Sequence, residues 1–206
     1  MDGNTKRNNM QQYINTETNQ LATEAEIRSI YSNTSFGVPF VPPEVYAVVF
    51  PAPQPAYDSL TQTVVPDVPK LTVKGTWEQQ WKIVELEPEV IAANQAAKAS
   101  QRWEAIKAIR DTKVQSGGYK AINKWFHSDT FSRTQQMGLV MLGASLPAGM
   151  QWKTMDGSFI TMTPALAAAV FQAAASQDSL LFKHAEVLKA DSSLDINQGW
   201  PAVYGG

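Results

Sequence analysis

The chain has 206 residues, 44% hydrophobic, 17% charged and 10% aromatic, with a formal net charge of −2. That length supports one large domain or two small ones, and the near-neutral balance gives no overall pull toward nucleic acid or an anionic membrane. The lack of cysteine excludes disulfides, thiolate catalysis and cysteine zinc sites.

Residues 1–22 are rich in Asn, Gln and Thr, and MDGNTKRNNMQQY has no apolar core of a signal peptide. With so little to bury, such a stretch becomes ordered only when something outside the monomer holds it. Residues 1–35 are therefore read as an N-terminal polar arm carrying a short helix, about 24–32, opened by the capping-box spacing of Thr23 and Glu26. The next 28 residues, SFGVPFVPPEVYAVVFPAPQPAYDSLTQ, hold six prolines, too many for a long helix. Their aromatics Phe36, Phe40, Tyr46, Phe50 and Tyr57 line either a small core or an interface.

VVPDVPKLTV, a Lys74-Gly75 turn and TWEQQWKIVEL predict two strands over 63–86. In the second, Trp77, Gln79, Trp81 and Ile83 point one way, so the two tryptophans share a face. They serve as core or, being large, as interface anchors. Residues 36–86 thus read as a small β-rich attachment domain.

At Leu86 the period changes. Pro88 suits a first helical turn, with Glu87 and Glu89 at the positive helix end, so a helix is predicted over 88–114. Its apolar positions are 90, 93, 97, 103, 106 and 109, and Gly117-Gly118 ends it. Tyr119–His127 reads as a hairpin with Asn123 near its turn. WFHSDTFSR follows the turn and sets His127, Ser128 and Asp129 side by side. A hydrolytic triad needs these three to converge, whereas neighbouring side chains diverge on a strand or a helix. The stretch is a strand-to-helix junction: Ser128 or Asp129 caps a helix over 129–143, and Arg133 pairs with Asp129 along its surface.

A second hairpin is expected in MQWKTMDGSFITM, with a type I′ turn at Asp156-Gly157 and Trp152 and Phe159 as core anchors. Thr163-Pro164 then opens a helix over 164–190. Its positions 166, 170, 173, 177, 180, 184 and 187 form the stripe of a helix lying lengthwise on another. Gln177 and His184 interrupt that stripe, either setting register between copies or lying at a core margin. The nearly uncharged runs at 138–150 and 164–175 fall short of the roughly 18–20 residues of a membrane helix. In the tail, 191–206, Trp200 and Tyr204 need a surface to cover them.

Catalytic chemistry finds little support. The two histidines, His127 and His184, are 57 positions apart, and there is no HExxH, P-loop or Gly-rich strand-to-helix motif. Glu85, Glu87 and Glu89 read as a strand end and helix start. No catalytic, cofactor-binding or metal-binding residue is expected. Charge is uneven: residues 1–97 carry a net −5 and residues 98–133 a net +5. The basic stretch is either a solvated helix face or a surface for an acidic partner such as the N-terminal part of another copy. Trp103, Tyr119 and Trp125 within it make only a weak nucleic-acid footprint.

Arg110, Gly117-Gly118, Trp125, Ser128-Asp129, Ser132-Arg133, WKTMDG at 152–157 and Thr163 follow one another in an order with a known counterpart. Residues 101–190 resemble the small C-terminal domain of unknown function found in many tailed-bacteriophage tail and tail-fibre proteins. Upstream, IRSIYSNTSF, PAYDSLTQTVV and GTWEQQWKIVEL resemble the portion that often precedes it. The resemblance implies a structural part of a phage tail, a fibre base or baseplate-associated protein, located in the virion and in host cytoplasm during assembly. The alternative is a fibre-assembly chaperone that leaves. The family supplies no catalytic residues to transfer.

The expected fold is α+β: the arm, the Pro-rich β region, then a helix–hairpin–helix–hairpin–helix domain over 87–190 and the tail. Expected partners are further copies of the chain, possibly as a trimer, and other tail proteins, with no nucleic acid or membrane and no cofactor. The interface candidates are Trp77, Trp81, Phe36, Phe40, Gln177, His184, Trp200 and Tyr204.

Overall fold

The computed structural model describes residues 11–205 and shows a mixed α+β protein of two compact units, dividing at Gln95/Ala96. The first unit contains a five-stranded sheet and a short helix. Its strands are β1 (Gln12–Asn15), β2 (Leu21–Thr23), β3 (Tyr46–Phe50), β4 (Gln62–Leu71) and β5 (Trp77–Glu85), in the order β2-β1-β3-β5-β4. Among the described residues, β3 and β5 are the one pair that runs parallel. Helix α1, Glu24–Ile30, opens with the expected capping box: Thr23 accepts from the Glu26 N–H and Glu26 accepts from the Thr23 N–H.

The expected N-terminal arm takes a different form where it is described. Residues 1–10 lie outside the described residues, but residues 12–15 and 21–23 are strands hydrogen-bonded to each other, and 12–15 also pair with β3. The chain itself therefore supplies the partner that this polar segment needs. Tyr13 and Ile14 are its buried anchors, at 5% and 0% exposure. The outer strand β4 carries Pro66 and Pro69 and a register shift between Asp67 and Lys70. Prolines and a bulge are fitting on an edge, because they spoil it as a template for another strand.

The second unit begins within helix α2, Pro88–Ser116. There follow β6 (Tyr119–Ala121), β7 (Lys124–Phe126), α3 (Thr130–Leu142), a 3-10 turn at Gly143–Ser145, β8 (Gln151–Lys153), β9 (Phe159–Thr161) and α4 (Pro164–Ala190). Its main core joins Tyr119, Phe126, Leu139, Met162, Leu166 and Val170.

The β6–β7 hairpin turns at Asn123 as expected, whereas the β8–β9 hairpin departs from expectation in its turn type and in the burial of Phe159. Both residues of the β6–β7 turn, Ile122 and Asn123, have positive φ (45° and 59°), the backbone of a type I′ turn. At Asp156-Gly157 only Gly157 does, so β8 and β9 are joined by a three-residue loop between Thr154 and Ser158. Phe159 is not a core anchor. The β8–β9 register places Trp152 opposite Ile160, leaving Phe159 beside Lys153 and 65% exposed. Side chains alternate faces along a strand, so a one-residue difference in parity decides burial.

The buried face of α4 also differs, consisting of Leu166, Ala167, Val170, Ala174, Leu181, Ala185 and Leu188, while Leu180 and Val187 are about half exposed. The expected stripe had the 3.5-residue period of a supercoiled pair, but a straight helix with 3.6 residues per turn drifts off that stripe by about 20° per heptad. Helix α4 is long and apolar enough to cross a membrane by length and composition alone. Here one face supplies the core of the second unit.

Candidate functional site

The residues of WFHSDTFSR converge on one polar junction, but not in the order their adjacency suggests. Asp129 is the N-cap of α3, accepting from the Ser132 N–H at 2.9 Å and the Ser132 hydroxyl at 2.6 Å. Those bonds hold its carboxyl below the usual carboxylate range. Ser128 turns inward, 2% exposed, and its hydroxyl accepts the Gly118 N–H at 2.9 Å. The His127 carbonyl accepts from Gln136 Nε2. Among the described residues the imidazole makes no hydrogen bond in this arrangement.

Arg133 does not pair with Asp129. Its guanidinium makes a two-pronged contact with Asp178 on α4, at 2.6 and 2.9 Å. Its Nε also donates to the Ser128 carbonyl and Nη2 to the Val114 carbonyl at the end of α2. The same group lies 5.4 Å from the Tyr119 ring centre. One side chain thus ties α2, the β7–α3 junction and α4 together, with the planar fork that suits Arg and not Lys.

The Tyr119 hydroxyl donates to Gln136 Oε1 inside the core. Burial pushes it up to about 12, against the opposing pull of Arg133. Its value in the unfolded chain is about 10. A group raised in the folded state stabilises fully below the unfolded value and loses that contribution as pH rises toward the folded one. The melting temperature of the second unit is therefore expected to fall between about pH 10 and 12. Tyr119→Phe should remove that component of the fall, as read from melting curves at matched pH.

The two hairpins are locked to each other. Met155 N–H donates to the Trp125 carbonyl, and Lys124 Nζ lies 2.7 Å from Asp156 and 2.8 Å from Ser158. Bonds from Lys124, Thr154 and Ser158 keep the Asp156 carboxyl well below the usual range. Among the eight Lys and Arg of the basic stretch, Arg102, Lys107, Arg110, Lys124 and Arg133 contact acceptors in the same unit. This arrangement suits the solvated-face reading of that charge.

The tail is a strap. Arg102 Nη2 donates to the carbonyls of Leu188, Asp191 and Leu194, placing a cation on the negative end of α4. Trp200 packs on the cluster of Ile106, Ala185 and Leu188, with its ring 4.8 Å from that of His184. His184 Nε2 is 3.0 Å from the Gln198 carbonyl, and Gln177 Nε2 donates to the Ala202 carbonyl. Tyr204 N–H donates to the Gly117 carbonyl, and its ring meets Trp125 edge-on. Four interface candidates, Gln177, His184, Trp200 and Tyr204, are thus engaged within the unit.

In the first unit Phe36 and Phe40 pack with Tyr13, Ala22, Ile27 and Tyr46, and the Arg28 guanidinium lies over both rings. Trp77 and Trp81 are half-buried, and Trp81 Nε1 donates to the Ala52 carbonyl. Between them Gln79 is buried and bonded to backbone carbonyls. Sequence reasoning missed Asp178 and Arg102. Their partners are 45 and 86 or more positions away, beyond any local signal.

Among the described residues no group of three or more His, Asp or Glu is placed to hold a metal ion. Residues 95–198 match a family described as Domain of unknown function (DUF4376), which covers just over half of the chain. No curated protein and no solved structure matches the sequence.

Proposed function

The chain belongs to the DUF4376 family, a domain of unknown function, and on that premise we propose that it is a structural, non-catalytic component of a bacteriophage tail. It attaches at a fibre base or baseplate and associates with its own copies. Residues 87–190 act as one helix–hairpin–helix–hairpin–helix domain, and residues 36–86 as the attachment portion bearing Trp77 and Trp81. The protein resides in the virion, and in host cytoplasm during assembly.

The observation that carries the structural reading is the junction. Ser128 and Asp129, beside His127, and the nearby Arg133 spend their side-chain hydrogen bonds on the Gly118 N–H, the first turn of α3, the Val114 carbonyl of α2 and Asp178 of α4. A catalytic site instead leaves a nucleophile and base facing an open volume. The tail assignment is supported by the order of motifs from Arg110 to Thr163.

Peptide mass spectrometry of gradient-purified particles tests it. Stoichiometric copies in the particle are the expected result. Abundance in infected-cell lysate without presence in particles would instead make the protein an assembly chaperone that grips unfinished fibres.

A further inference from the structure

Helix α3 carries an outward face that the fold itself does not use. Phe131 is 72% exposed, Met137 48%, Met141 80% and Leu142 46%. At 100° per residue, Phe131, Thr134, Gly138, Met141 and Leu142 fall on one side of the helix, with Met137 at its margin. This side carries no charge. The helix has one ionic residue, Arg133, and that is bound to Asp178. The outer face of α4 is different. Lys183 and Glu186 interrupt it, and the Arg110 guanidinium lies 4.3 Å from its Phe182 ring.

Gly138 stands at the middle of the α3 face. A glycine inside a helix is destabilising relative to alanine, and is normally retained where a backbone must come close. Among the described residues nothing does so: a Cβ built at Gly138 meets no atom within 4 Å. The protein's own packing therefore gives no reason for this glycine. A second helix lying across it does.

We propose that the face of α3 centred on Gly138 is a self-association surface, occupied by α3 of a second copy of this chain crossing at Gly138. The occupant follows from three features. The face is neutral, so bringing it against itself sets no like charges together. A two-fold pair places Gly138 against Gly138, where two backbones approach most closely. The four large side chains leave roughly 490 Å² uncovered, taking about 200 Å² for each. Doubled across a pair, with Thr134, Gln135 and Gly138 between, this reaches about 1,200 Å², the low end for a specific interface. This rests on the self-association in the reading above and names its surface.

Sedimentation equilibrium of the full chain from about 1 to 500 µM spans the weak affinity expected of so small an interface. The wild type is expected to form pairs. Met141→Lys, which adds a cation in the last helical turn where the helix tolerates it, should weaken pairing at least about tenfold with an unchanged circular dichroism spectrum. Gly138→Ala should raise the melting temperature by about 3–5 °C while weakening pairing, two effects of opposite sign that a merely local role for this glycine would not give.

A wild type that stays monomeric, or that associates only as trimers, overturns the inference. So do variants that pair like the wild type, which would locate self-association elsewhere. In each of these cases copies in purified particles would leave the tail reading standing. Pairing lost in both variants, with the polypeptide absent from particles and from assembling lysates, would uphold the surface and overturn the tail reading.

Discussion

Arg133→Ala is expected to destabilise the second unit by about 3 kcal/mol. The variant removes four donated bonds at once and leaves the Asp178 carboxylate, 29% exposed, without its cation. Asp178→Ala should cost less, about 1.5–2 kcal/mol, because the arginine keeps the Ser128 and Val114 carbonyls as acceptors. The paired change Arg133→Met with Asp178→Leu should recover only part of the loss, since those carbonyls then stand without a donor. Peptide-level hydrogen exchange over α3 and α4 reads the effect where it occurs. Equal losses for the two single variants would mean that the ion pair alone matters and the carbonyl contacts do not.

The second large effect belongs to Gly117-Gly118. Gly118 has φ +69°, and a Cβ there would lie 2.3 Å from Met155 Sδ and 2.9 Å from the Phe126 carbonyl oxygen. The thioether can swing away, but the carbonyl belongs to the β6–β7 ladder and cannot without opening it. Adding the cost of a left-handed backbone to this clash, Gly118→Ala is expected to lose about 3 kcal/mol. A Cβ at Gly117 would meet the Lys113 carbonyl at 2.4 Å and Val203 of the strap at 2.6 Å, so Gly117→Ala should loosen both the end of α2 and the strap. Thermal melts by circular dichroism would show it. A Gly118→Ala protein that melts like the wild type would mean that the β6–β7 hairpin yields freely at this point.

These two cases show which parts of the structure could be read in the sequence. The Thr23 and Asp129 caps, the Lys74-Gly75 turn, the end of α2 before Gly117-Gly118 and the helix opened by Thr163-Pro164 depend on residues within four positions of one another. Local chemistry fixes them, so local reading finds them. The parity of β9 is set by which residue opposes Trp152, and the sequence of β9 alone does not contain that information. The buried face of α4 is set by what packs on it. The same holds for the junction: Asp129 was legible as a cap, whereas Arg133 finds Asp178 only once α3 and α4 lie side by side. The strap was visible only as two aromatics in want of cover, and the surface that covers them lies on α2, α4 and β7.

The reach of Arg102 has a further consequence, for the order of events during synthesis. Its guanidinium closes on carbonyls 86 to 92 positions later, and Gly117 receives Tyr204 later still. The five-stranded sheet needs nothing beyond β5 for its pairing, so it can form while α2 is still being made. The second unit has no such freedom, because α2 must wait, half-clothed, for the strap to arrive. Contacts of such long sequence separation close slowly. A newly made chain therefore passes through an interval in which Trp103 and Ile106 stand uncovered, and it is then that a molecular chaperone would find the most to hold.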